Sequence, residues 1–141
     1  NASHTATTDT ATMTAQTIDL YRETIDTADR LTREKINKKL DKIDITDHTI
    51  RDICSRILYI KQRFIMCNLP QVYLDQTSHL LINSDYNEKE MRNVLEQLKL
   101  TRFAAYTMTL LAESSTLTEG FMPLESDSGK TVEKMKKYII K

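Results

Sequence analysis

The sequence predicts an all-α fold: an antiparallel up-and-down helical bundle of four main helices plus a short C-terminal helix. Three observations predict it. The 141 residues include only two Gly and two Pro, which leaves little material for the many tight turns of a sheet protein. Only three Val accompany thirteen Ile and fifteen Leu, a thin supply for strands. Apolar residues then recur at helical spacing through four long stretches, and short connections between long helices favour antiparallel neighbours.

The first helix is expected from about Thr14 to Ile43, where Ile18, Tyr21, Ile25, Ala28, Leu31, Ile36, Leu40 and Ile43 recur every three to five residues. Asp44-Ile45-Thr46-Asp47 interrupts it, and Thr46 is the expected N-cap of the next helix. That second helix, Asp47 to about Asn68, carries the series Ile50, Ile53, Ile57, Ile60, Phe64, Cys67. A second row of Cys54, Leu58 and Ile65 widens the stripe, so this helix should pack on more than one side and stand at the centre. Asn68-Leu69-Pro70 ends it, because a proline disfavours helical geometry in the residue before it and suits a helix start.

A third, shorter helix is expected over Pro70 to Ile82, presenting Tyr73, Leu74, Leu80, Leu81 and Ile82. The turn and cap residues Asn83-Ser84-Asp85-Tyr86-Asn87 follow, and Glu88 and Glu90 then suit a first helical turn. The fourth helix is read as continuous from there to about Ser114, with Met91, Val94, Leu95, Leu98, Ala105, Met108 and Leu111 on one side. Residues 114–130 hold both glycines and the second proline and form the longest expected loop. Thr131 to Lys141 closes the chain as a short helix with Val132, Met135 and Ile139 facing inward.

Residues 1–13 are expected to be a flexible, Thr-rich N-terminal segment and residues 14–141 a single bundle domain. Asn1-Ala2-Ser3 has the form of an N-glycosylation sequon, in a place where cloning residues are also found. Cys54 and Cys67 are thirteen residues apart on one expected helix, so a rise of ~1.5 Å per residue separates them by roughly 20 Å. A disulfide tolerates about 7 Å between Cα atoms, so the two cannot bridge within one chain. The expectation is two buried apolar thiols and a reducing, cytoplasmic compartment; a fragment of an extracytoplasmic protein is the alternative. No apolar run approaches the ~18 residues of a membrane span.

Twenty Lys plus Arg balance twenty Asp plus Glu, but in alternating blocks. Residues 1–29 and 64–129 are acidic, and residues 30–63 and 130–141 are basic. The zero total removes the global argument for a nucleic-acid partner. Within the second block, Arg30, Arg33, Lys35, Lys38, Lys39 and Lys42 form a candidate basic patch for phosphate or acidic lipid. Glu34 and Asp41 interrupt it, and cations near a helix C-terminus also offset the helix dipole, so a solvated face is the plainer reading. Lys134, Lys136, Lys137 and Lys141 repeat the pattern.

Catalytic motifs are absent from the sequence. Ser128-Gly129-Lys130-Thr131 resembles the end of a phosphate-binding loop, but the glycine required five residues earlier is Leu124, and a turn opening the last helix accounts for the same residues. His48 with Asp44 and Asp47 would need to converge to bind a metal, and capping explains them without one. Cys54 has Arg51 and Arg56 nearby, yet its place beside the apolar row argues against reactivity. An enzyme reading would need several of Arg51, Arg56, Lys61, His79 and Glu113 around one interior cavity. No cofactor and no metal is expected. Phe121, Met122 and Leu124, in a polar loop bounded by glycine, are the candidate partner anchors.

The expected function is accordingly a non-catalytic protein–protein interaction module, an adaptor, effector or assembly protein with a protein partner or a second copy of itself. An extracytoplasmic four-helix ligand-sensing domain and a phosphate- or lipid-binding bundle acting through the basic helix face are the alternatives. Nucleic acid is disfavoured as a partner, a membrane surface ranks behind a protein, and the sequence specifies no small-molecule ligand.

Overall fold

The computed structural model describes residues 30–118 and 129–141. Among them the chain forms six helices: α1 (Arg30–Asp41), α2 (His48–Ile65), α3 (Gln71–Asn83), α4 (Glu88–Gln97), α5 (Thr101–Ser114) and α6 (Lys130–Lys137). Two strands of two residues, β1 (Leu69–Pro70) and β2 (Ile139–Ile140), complete the described elements. The chain is mostly helical, as its sequence predicts. The expected start of the first helix near Thr14 lies outside the described residues.

The central place of α2 follows from its wide apolar stripe. Ile50, Ile53, Cys54, Ile57, Leu58 and Ile60 are all buried, and the helix packs against α1, α3, α5 and β1. Its N-cap is Asp47, whose carboxylate accepts the Thr49 amide at 2.8 Å. The expected cap was one residue earlier, at Thr46; a carboxylate also offsets the positive helix end, which a threonine hydroxyl does not. Pairing with α3 is antiparallel, because Arg56 meets Gln76 while the later Tyr59 meets the earlier Tyr73.

The end of α2 is set by Cys67, which adopts φ +57°. Its amide bonds Phe64 O at 2.9 Å, and the Asn68 amide bonds Arg63 O at 3.0 Å. These two reversed bonds are the Schellman closure, with a cysteine where glycine is usual. The chain then leaves extended through Leu69 and Pro70, and Pro70 serves as the N-cap position of α3.

The expected fourth helix is two helices. It breaks at Lys99, φ +59°, where the Lys99 amide bonds Glu96 O at 3.0 Å and the Leu100 amide bonds Leu95 O at 2.8 Å, a second Schellman closure. The reason lies in the phase of the apolar residues. At 100° per residue, Met91, Val94, Leu95 and Leu98 share one face, whereas Leu100, Ala104, Thr107, Met108 and Leu111 would lie ~160° away on the same continuous helix. All nine are buried, which one straight helix against one core cannot achieve.

The C-terminal helix also ends early. It stops at Lys137, and Ile139 and Ile140 are extended instead of helical, running parallel to Leu69 and Pro70 in register. The Leu69 amide bonds Tyr138 O at 2.9 Å. Gly129 opens α6 with φ +143° and ψ −157°, a conformation open to glycine and strained for any other residue.

Three expected core positions are exposed. Leu31 is five residues from Ile36, a step of ~140° around the helix, so it leaves the stripe of Ile36 and Leu40. Ile65 and Cys67 continue the apolar rows of α2 past the helices that cover them, and both are exposed. Buried threonines 77, 107 and 109 satisfy their hydroxyls by donating to the carbonyls of Tyr73, Phe103 and Ala105 one turn back.

Candidate functional site

Three places in the fold bring chemistry-bearing residues together, and each arises from how α2 is flanked. The first is a polar seam between α2 and α3. Arg56 and Tyr59 are one turn apart on α2, and Tyr73 and Gln76 are one turn apart on α3, so the four meet in register. Arg56 Nη1 donates to Gln76 Oε1 at 2.7 Å, and the Tyr59 and Tyr73 rings lie 5.9 Å apart, tilted by 51°. The seam fixes the α2–α3 register through a charge-assisted hydrogen bond in a half-buried setting.

The second place is the junction of α2, β1 and β2. Phe64 packs between Phe103 of α5, at 6.3 Å, and Tyr138, at 5.9 Å. The neighbouring Cys67 side chain, and to a lesser degree burial, raise the Tyr138 pKa above its ordinary value. Around this fixed frame Ile65 is 63% exposed, Met66 50% and Ile140 50%. Three large aliphatic side chains thus stand in water on segments that are otherwise ordered by backbone pairing and ring packing.

The third place is the outer face of α1. Arg30, Lys35, Lys38, Lys39 and Lys42 of the predicted basic patch are exposed, and Arg33 is half-buried toward the flank. Asp41, one of the two acids interrupting the patch, is engaged by Arg51 of α2 at 2.8 Å. The candidate anchors Phe121, Met122 and Leu124 lie outside the described residues.

The groups weighed for catalysis do not converge. Arg51 pairs across α1–α2, Arg56 across α2–α3, and Glu113 of α5 pairs with Lys136 of α6. His79 is exposed and contacts Asn83 on its own helix. Cys54 is fully buried with its Sγ 4.0 Å from Met91 Sδ, and burial pushes its thiol up to about 12, so it carries no nucleophilic thiolate near neutrality. Asp47 is occupied by capping, and among the described residues no three His, Cys, Asp or Glu side chains stand close enough to hold a metal ion. No described helix is long and apolar enough to cross a membrane.

The exposed aliphatic end departs from the sequence expectation, which places Ile65 in a buried row. The available signal was position: Ile65 and Met66 sit within the last turn before the Asn68-Leu69-Pro70 stop, where a stripe runs out of partners. Comparison with known proteins finds no family model, no curated protein and no solved structure that matches this chain.

Proposed function

We propose that the protein is a non-catalytic helical module that acts by binding another protein, with Ile65, Met66 and Ile140 as the centre of the contact. One observation carries the reading: three large aliphatic side chains are half or more exposed on segments held rigid by the Cys67 turn, the β1–β2 pair and the Phe64–Tyr138 packing. A rigid apolar patch loses little conformational entropy on binding, so covering it favours association. Removing the exposed halves of three such side chains from water contributes about 3 kcal/mol, some two orders of magnitude in affinity. We also read the helices as an antiparallel bundle in which α4 and α5 together take the place of the fourth member. The α1–α2 ion pair beside a short connection and the antiparallel α2–α3 register support that order.

The test compares quantitative capture from the source lysate by the wild-type protein and by the triple variant Ile65→Glu, Met66→Glu, Ile140→Glu. Light scattering of both is measured over a concentration series. The reading expects a specific partner, or a concentration-dependent dimer, with the wild type and its loss in the variant at unchanged helicity. Identical capture profiles and strictly monomeric behaviour of both proteins would sink it.

A further inference from the structure

The outer face of α1 combines charge and an apolar side chain in one row. Leu31, Lys35 and Lys38 are spaced by four and three residues, which on a helix of 3.6 residues per turn places them one above another, with Lys39 beside them and Lys42 in the turn just past the helix end. This row lies away from Ile36 and Leu40, the residues that α1 buries against the core. All five are exposed, and Leu31 is 75% so, the most exposed large aliphatic of the described residues. Among the described residues none of these four lysines forms an ion pair. Asp41, which would otherwise sit at the edge of the row, is turned to Arg51 on α2 at 2.8 Å. Glu34 on the helix and Asp44 beyond its end remain as exposed acids near the row.

Compensation of the helix dipole accounts for part of this arrangement only. Lys38 and Lys39 lie in the last turn, where cations are favoured, but Lys35 and Leu31 lie further back along the helix. The helical part of the row, Leu31 to Lys38, runs ~10 Å along one face, the geometry of a helix lying on a plane. Lysine stems also suit such a plane, because they extend along apolar surface while the ammonium reaches outward.

We propose that this face docks on a bilayer leaflet rich in acidic phospholipid, with the four lysines at the headgroup phosphates and Leu31 entering the headgroup–acyl boundary. Charge complementarity gives the class of partner, and Leu31 chooses within it. A phosphate polymer offers hydrocarbon no gain, and the row has no aromatic side chain to stack on bases, whereas a lipid interface rewards both the charge and the leucine. The proposal does not rest on the protein-binding reading above, since it uses a different helix and different residues.

The experiment is flotation of the full chain with vesicles of phosphatidylcholine alone and of phosphatidylcholine with about a third phosphatidylserine, at about 0.1 M and 0.5 M salt. Binding is expected to the acidic vesicles only, weakened by salt. Each lysine near such a surface contributes about fivefold, so the variant Lys35→Gln, Lys38→Gln, Lys39→Gln, Lys42→Gln is expected to lose binding by at least about 100-fold. Leu31→Gln is expected to weaken vesicle binding several-fold while leaving binding to heparin or single-stranded DNA unchanged. All five positions are exposed, so the variants keep the fold, which circular dichroism verifies. Absence of binding to acidic vesicles overturns the proposal. So does vesicle binding indifferent to Leu31→Gln, which would make the face a general polyanion binder.

Discussion

Lys99 stands at φ +59° between the buried Leu98 and Leu100, and its side chain is exposed. The left-handed conformation costs a residue with a Cβ about 1 kcal/mol or more, and here nothing at the side chain requires lysine. Lys99→Gly is therefore expected to stabilise the protein by about 1 kcal/mol in urea denaturation, and Lys99→Ala to bring no comparable gain. Equal effects of the two substitutions would show that the backbone strain is not the cause. Cys54 gives the pH dependence. Burial raises its thiol from 9.0 to about 12, so the folded state holds that proton more tightly than the unfolded chain does. Its contribution is complete below about pH 9 and is lost as pH rises through about 12. At pH ~10.5 the loss from this group is ~2 kcal/mol. Lys136, held protonated by Glu113 and Glu133, and Tyr86, raised by burial and then by Glu88, add to the same alkaline decline. Stability measured from pH 8 to 11 should fall, and Cys54→Ala should make that fall shallower; an unchanged slope would place the titration elsewhere.

At the scale of elements, the caps and breaks decide where each helix stops. Asp47 accepts the Thr49 amide and Asn87 accepts the Glu90 amide at 2.9 Å, so α2 and α4 both begin on side-chain caps. Asp47→Ala is expected to cost about 1 kcal/mol, read as a lower urea midpoint at unchanged m-value, and Asp47→Ser to recover most of it. The α4 start is legible because capping is local in sequence, whereas at α2 the sequence points to Thr46, one residue before the cap that forms. The break at Lys99 was legible too, as the ~160° jump in apolar phase between Leu98 and Leu100, but only when phase is followed across the whole stretch. Leu31 carries the same lesson, since a five-residue step leaves the core face. The β1–β2 pair was not legible. A two-residue strand has no periodicity of its own, and Ile139 and Ile140 become extended through partners seventy residues away.

For the molecule as a whole, the arrangement around α2 separates a buried apolar interior from two outward features that the core does not use. Ile50, Ile53, Ile57 and Ile60 are sealed between α1, α3 and α5, while Ile65 and Met66 extend the same helix into water. The lysine row of α1 was readable from the sequence because charge spacing is visible without knowing the fold. The aliphatic end was not, because exposure at Ile65 depends on where the covering helices stop. Methyl NMR tests the central claim most directly, since Ile65, Met66 and Ile140 all carry methyl probes. On titration with the captured partner, or across a concentration series if the partner is a second copy, those three methyl signals should shift together while Ile50, Ile53 and Ile57 stay in place. Shifts confined to other surfaces, with Ile65, Met66 and Ile140 unmoved at saturation, would contradict the account.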